Sequence, residues 1–212
     1  MTAGSGRATA TAPPAPAAGH SWRAVCIVLV GAFMALLDTT IVNVALPSIR
    51  TGLHAPAQSL EWIVAGYALA YGLALVPAGR AGDRFGHKPL FLLGLTIFTL
   101  ASVACGVAQH PAEIVIARVV QGLGAGIFYP AIAATIQLSF TGPARSRAFG
   151  VLGATIGVST AIGPLLGGLI IAAAGARDGW RWVFLVNLFI GVVTVPLAAW
   201  LLPRAPARAR RW

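Results

Sequence analysis

Only 9% of the 212 residues are charged and 58% are hydrophobic, against roughly 25% charged residues in an ordinary soluble domain. That excludes a water-soluble globular fold, so the relevant count is the number of stretches of about 20 apolar residues between the charges. The formal net charge of +10 would suit a nucleic-acid partner only if the basic residues formed a patch, and they fall instead in alternate connections between apolar segments.

Residues 1–21 are rich in Ala, Pro, Thr and Gly and read as a disordered tail. An apolar run follows that is too long for the core of a signal peptide and reads as a retained first helix, 23–49. It carries Leu37-Asp38-Thr39-Thr40-Ile41-Val42-Asn43. A carboxylate at the centre of a spanning helix costs roughly 2.5 to 3.5 kcal/mol on insertion scales, so it normally faces a polar cavity or a partner. At about 100° per residue, Asp38, Thr39 and Asn43 share one arc of the helix. The plainer alternative is an Asp that bonds neighbouring hydroxyls or amides and only packs helices.

The second and third spans are predicted at 61–79 and 89–108. Between them lies Gly79-Arg80-Ala81-Gly82-Asp83-Arg84-Phe85-Gly86-His87-Lys88, read as a charged, glycine-rich turn. In it Gly79, Gly82 and Gly86 permit close approach, Asp83 accepts hydrogen bonds, and Arg84 and Lys88 hold the turn inside. The fourth span, 111–138, places Arg118, Gln121, Gly122 and Ala125 at i, i+3, i+4 and i+7, so a guanidinium shares a face with an amide and small residues. Arg118 cannot release its proton at ordinary pH. It can stabilise a carboxylate, or alternatively snorkel back to the surface.

The fifth span, 149–174, follows the basic turn Arg145-Ser146-Arg147. Gly153 with Gly157, and Gly163 with Gly167 beside Gly168, form small-xxx-small pairs for close helix contact, and Pro164 predicts a bend. The sixth span is 182–202, and a basic tail, 204–212, ends the sequence. No span alternates with a period of two, so a membrane β-barrel is not expected. The fold class is all-α, with six transmembrane helices joined by short connections as one bundle.

With the N-terminus inside, eleven basic residues (Arg7, Arg23, Arg80, Arg84, Lys88, Arg145, Arg147, Arg204, Arg208, Arg210, Arg211) lie on the cytoplasmic side. Three, Arg50, Arg177 and Arg181, lie outside. This split follows the positive-inside rule and predicts both termini in the cytoplasm, a lipid-bilayer partner and no nucleic acid. Cys26, Cys105 and four dispersed His show no metal-ligand spacing, so no metal or cofactor is expected.

Taken in order, these stretches resemble the N-terminal half of a major facilitator superfamily transporter, in the fourteen-helix drug:proton antiporter branch. Leu37 to Pro47 is similar to that branch's first-helix signature, and Gly79 to Lys88 to the superfamily's loop motif. Arg118-x-x-Gln121-Gly122 resembles the fourth-helix motif, Gly153 to Gly168 the antiporter motif of helix five, and Trp180-Arg181-Trp182-Val183-Phe184 with Asn187 and Gly191 the start of helix six. Ala81, His87 and Phe189 depart from the common pattern.

The resemblance implies proton-driven efflux of drug-like small molecules across a plasma (inner) membrane, energised by the proton gradient. It assigns coupling to Asp38, Arg118, Thr39, Asn43 and Gln121, a cytoplasmic gate to Gly79 through Lys88, and bending to helix five. It further implies two inverted three-helix units and a partner, either a missing C-terminal half or a second copy. Transport of one specific metabolite, or a non-transporting membrane fragment, stand as alternatives. An intramembrane enzyme is disfavoured: Ser159 has no His or Lys within the spans to activate it.

Overall fold

In hydrocarbon a backbone N–H or C=O finds no water, so a long apolar segment satisfies its polar groups internally as a helix. Among the described residues six such helices form: α1 (Ala18–Leu53), α2 (Ala57–Phe85), α3 (His87–Val107), α4 (Pro111–Ser139), α5 (Gly142–Ala174) and α6 (Gly179–Leu201). The structure, a computed structural model, describes residues 18–203, with side chains from Trp22. All six helices are long and apolar enough to cross a membrane. The shortest, 21 residues, is about 31 Å long at 1.5 Å per residue, the thickness of a bilayer core.

Three sequence expectations are corrected. α1 starts at Ala18, so the end of the expected tail is helical; the rest of that tail and the C-terminal tail lie outside the described residues. The supposed turn from Gly79 to Lys88 is almost all helix, because α2 continues to Phe85 and α3 starts at His87. Gly86 alone joins them, at φ +95°, a left-handed conformation that glycine adopts without a Cβ penalty. Arg145, Ser146 and Arg147 likewise lie within the first turns of α5 rather than in a loop.

α4 packs against α2 and α3, α1 against α5 and α6, and α3 against α6, with α1 and α4 meeting at the centre. Glycines set how closely they approach. A Cβ on Gly94 of α3 would stand 2.6 Å from the Gly124 carbonyl, and one on Gly124 of α4 would stand 2.7 Å from the Phe98 nitrogen, so these backbones touch directly.

Two apolar cores result. One contains Val28, Phe91, Phe98, Phe128 and Ile132; the other, toward the opposite end, contains Ile41, Ile49, Cys105, Ile114 and Phe184. Burial is uneven around the bundle. Of the most apolar 18 residues, 61% are buried in α1 but 28% in α2 and 17% in α5.

Candidate functional site

Between the two cores, at mid-depth, lies a layer of buried polar side chains. Asp38 of α1 is 0% exposed and Arg118 of α4 is 2% exposed. Arg118 Nη1 donates to Asp38 Oδ2 at 2.5 Å and to Gln121 Oε1 at 2.8 Å, and Arg118 Nε donates to the Ile63 carbonyl of α2 at 3.0 Å. The guanidinium lies 4.1 Å above the Tyr67 ring, a cation–π contact. Asp38 Oδ1 accepts from Gln121 Nε2 at 2.9 Å and from Asn187 Nδ2 of α6 at 2.8 Å.

Arg118 therefore does not reach back to the surface. The carboxylate has a charged partner and two amides, the satisfaction that a buried charge requires. Helical spacing brings this about locally: Arg118 and Gln121, three residues apart, both point at Asp38.

The polar arc expected on α1 is divided. Thr39 and Asn43 make no hydrogen bond to Asp38. Thr39 Oγ1 donates to the Leu36 carbonyl, and Asn43 Nδ2 donates to the Thr39 carbonyl. Both line a cavity of about 400 Å³ between α1, α2 and α4, together with Tyr67, Tyr71, Arg118 and Tyr129. Asp38 and Thr39 are adjacent residues about 100° apart, so one points into the bundle and the other toward the cavity. Arg118 bridges the two environments. The cavity is mainly apolar and aromatic, with Tyr71 edge-on to Tyr129 at 5.8 Å between ring centroids, and it suits a largely apolar guest.

Of the expected gate residues, Gly79 and Gly82 lie on α2, with Gly82 covered by the His87 imidazole. Asp83 is exposed and faces His87 Nε2 at 3.6 Å, while Arg84 covers the Phe85 ring. Lys88 points elsewhere: its Nζ donates to the Ala199 and Leu202 carbonyls at 2.7 and 2.5 Å. It thus caps the C-terminal end of α6, where carbonyls lack helical partners.

On α5 the small-residue motif also divides. Gly163 and Gly167 are buried against Thr40, Ile41 and Val44 of α1, whereas Gly153, Gly157 and Gly168 have open space where a Cβ would stand. Pro164 does not interrupt the helix.

The sequence reading left two members of the polar layer, Asn187 and Ser102, outside the site. Asn187 was open to the test applied to Asp38, since a lone amide among Val183, Phe184, Leu185, Val186 and Leu188 is unusual in a span. Ser102 gave no such signal, because a serine in a membrane helix can bond its own backbone.

Among the described residues, six membrane-length helices around a mid-depth buried ion pair beside an open cavity make this a multi-pass membrane protein. The chain belongs to the Major Facilitator Superfamily, which it matches over residues 28–211. It is 39% identical to a probable actinorhodin transporter of Streptomyces coelicolor, over 95% of this chain and 35% of that one. It is 38% identical to the tetracenomycin C resistance and export protein of Streptomyces glaucescens, over 91% and 35%.

An uncharacterized MFS-type transporter of Mycobacterium tuberculosis is 40% identical over 91% of this chain and 33% of its own length. The xylose transporter XylE of Escherichia coli, in a partially occluded inward-open structure, superimposes with a TM-score of 0.76 at 16% identity, covering 88% of this chain and 50% of that one. That likeness concerns the fold, and the bundle matches the N-terminal half of a major facilitator transporter. The chain spans about a third of the length of the curated relatives it matches.

Proposed function

We propose that this bundle is half of a proton-coupled drug antiporter of the fourteen-helix branch, exporting drug-like molecules across a plasma membrane with both termini in the cytoplasm. The observation that carries the reading is the fully buried Asp38–Arg118 pair beside a cavity to which Arg118, but not Asp38, contributes a wall. Such a pair has two stable conditions, ionised and closed or protonated and loosened, and cavity occupancy can select between them through Arg118. The resistance and export function in the name of the Streptomyces glaucescens relative favours efflux of drug-like compounds over uptake of one metabolite.

Under this reading the exposed faces of α2 and α5 receive a second six-helix bundle, and the cavity is completed between the two. Asp38 carries the proton, Arg118 and Gln121 hold its carboxylate, and Thr39 and Asn43 meet the guest. The test is proton-gradient-driven accumulation of a fluorescent amphipathic dye in inverted vesicles that hold the complete transporter built on this bundle. Asp38→Asn is expected to abolish accumulation with no loss of protein from the membrane. Undiminished, pH-dependent accumulation by that variant overturns the proposal.

A further inference from the structure

Asp38 offers its two oxygens to unequal surroundings. An ionised carboxylate has about four lone-pair sites, two on each oxygen. Both sites on Oδ1 are taken, by Gln121 Nε2 at 2.9 Å and Asn187 Nδ2 at 2.8 Å. Among the described residues, Oδ2 accepts only from Arg118 Nη1. The oxygen with a free site is therefore the one on the side of the residue that lines the cavity.

Asn187 is itself held. Its Nδ2 donates a second bond to Ser102 Oγ of α3 at 2.9 Å, and Ser102 Oγ donates its single proton to the Phe184 carbonyl at 2.9 Å. With that proton committed, Ser102 presents only lone pairs to the amide. A flipped Asn187 would set its carbonyl against both a carboxylate and those lone pairs, so the orientation is determined by the network. The backbones of α3 and α6 close around it through glycines, Gly106 against Leu185 and Gly191 against Thr99. Ser102 and Asn187 are 0% and 1% exposed, so water does not compete for these bonds.

We infer that Asn187, fixed by Ser102, is a positioning residue that reserves Oδ1 of Asp38 as a pure acceptor and so makes Oδ2 the atom that takes the transported proton. This rests on the reading of Asp38 as the coupling carboxylate. In the step itself, a hydronium ion admitted past Arg118, which stands between the buried Asp38 and the cavity, gives its proton to Oδ2. One O–H bond forms, a water molecule is left behind, and the carboxylate becomes neutral. Arg118 keeps its bonds to the Ile63 carbonyl and Gln121 Oε1.

The other titratable groups around Asp38 are Arg118 on α4, Tyr67 on α2 and Cys105 on α3. Among the described residues α5 and α6 bring none to it: their titratable side chains, Arg145, Arg147 and Arg181, lie at the helix ends. The α6 contribution is thus the Asn187 amide alone. A bond to the charged form of a carboxylate favours that form, so removing the bond makes protonation easier.

The experiment follows the infrared carboxyl stretch of Asp38, assigned by its loss in Asp38→Asn, as pH is varied with the complete transporter in lipid. Asn187→Ala is expected to raise the protonation midpoint by about one pH unit, in keeping with one charge-assisted hydrogen bond. Ser102→Ala, which removes a single oxygen and preserves the fold if Asn187→Ala does not, raises it by less. The pH profile of transport moves in the same direction. Unmoved midpoints in folded variants overturn the role of Asn187. Retention of proton coupling by Asp38→Asn instead overturns the functional reading beneath it, so the two failures are distinguishable.

Discussion

Removing Arg118 leaves a carboxylate 0% exposed without its counter-charge. Breaking a buried pair from one side costs about 3 to 5 kcal/mol because the remaining charge has no solvent. Arg118→Gln is therefore expected to lower unfolding stability in detergent by that amount. The double variant Asp38→Asn with Arg118→Gln is expected to recover most of it, since two neutral amides can still bond one another. A double-mutant cycle by thermal or denaturant unfolding reads the coupling directly, and additive losses would show that the two side chains act independently.

Among the elements, α5 separates two uses of glycine that look identical in sequence. A Cβ on Gly163 would collide with the Thr40 side chain, whereas one on Gly157 meets nothing within 4 Å. Gly163→Ala is thus expected to part α1 from α5 at a cost of about 1 to 3 kcal/mol, and Gly157→Ala to change unfolding stability by no more than about 0.5 kcal/mol. Equal effects would contradict the packing of α5.

The same contrast explains what the sequence could and could not show. Spans, and the prominence of Asp38, Arg118 and Gln121, were legible because charges and amides interrupt otherwise apolar runs. The direction in which α5 faces was not, since Gly153/Gly157 and Gly163/Gly167 have the same spacing and only the partner distinguishes them. The last turns of α2 looked like a loop because Gly79-Arg80-Ala81-Gly82-Asp83-Arg84 is polar and glycine-rich; their helicity accompanies a tertiary contact, with His87 seated on Gly82. Likewise Lys88, grouped with a gate by its neighbours in sequence, is drawn to α6 by carbonyls that no local pattern reveals.

For the whole molecule, the α2–α3 and α4–α5 connections lie at one end of the bundle, and the α1–α2, α3–α4 and α5–α6 connections at the other. The positive-inside rule predicts that the first end, with Arg80, Arg84, Lys88, Arg145 and Arg147, faces the cytoplasm. Single cysteines placed at Arg84 and Ser146, in a background with Cys26 and Cys105 replaced, are expected to resist a membrane-impermeant thiol reagent in intact cells. Cysteines at His54, His110 and Asp178 are expected to react; the reverse pattern would invert the topology.

The mid-depth polar layer also governs which motions the bundle permits. It ties α1, α2, α3, α4 and α6 at one level, so sliding any of them along its axis by one turn, about 5.4 Å, would strand a polar group or a charge against hydrocarbon. These five helices are keyed against shear and can move only together, as a block. The link from α5 to its neighbours near that level is a 3.5 Å contact between Thr40 Oγ1 and the Ser159 carbonyl, beside glycine packing. α5 is therefore held outside the polar layer, and its register against α1 is set by shape instead, by Gly163 and Gly167 seated on Thr40, Ile41 and Val44.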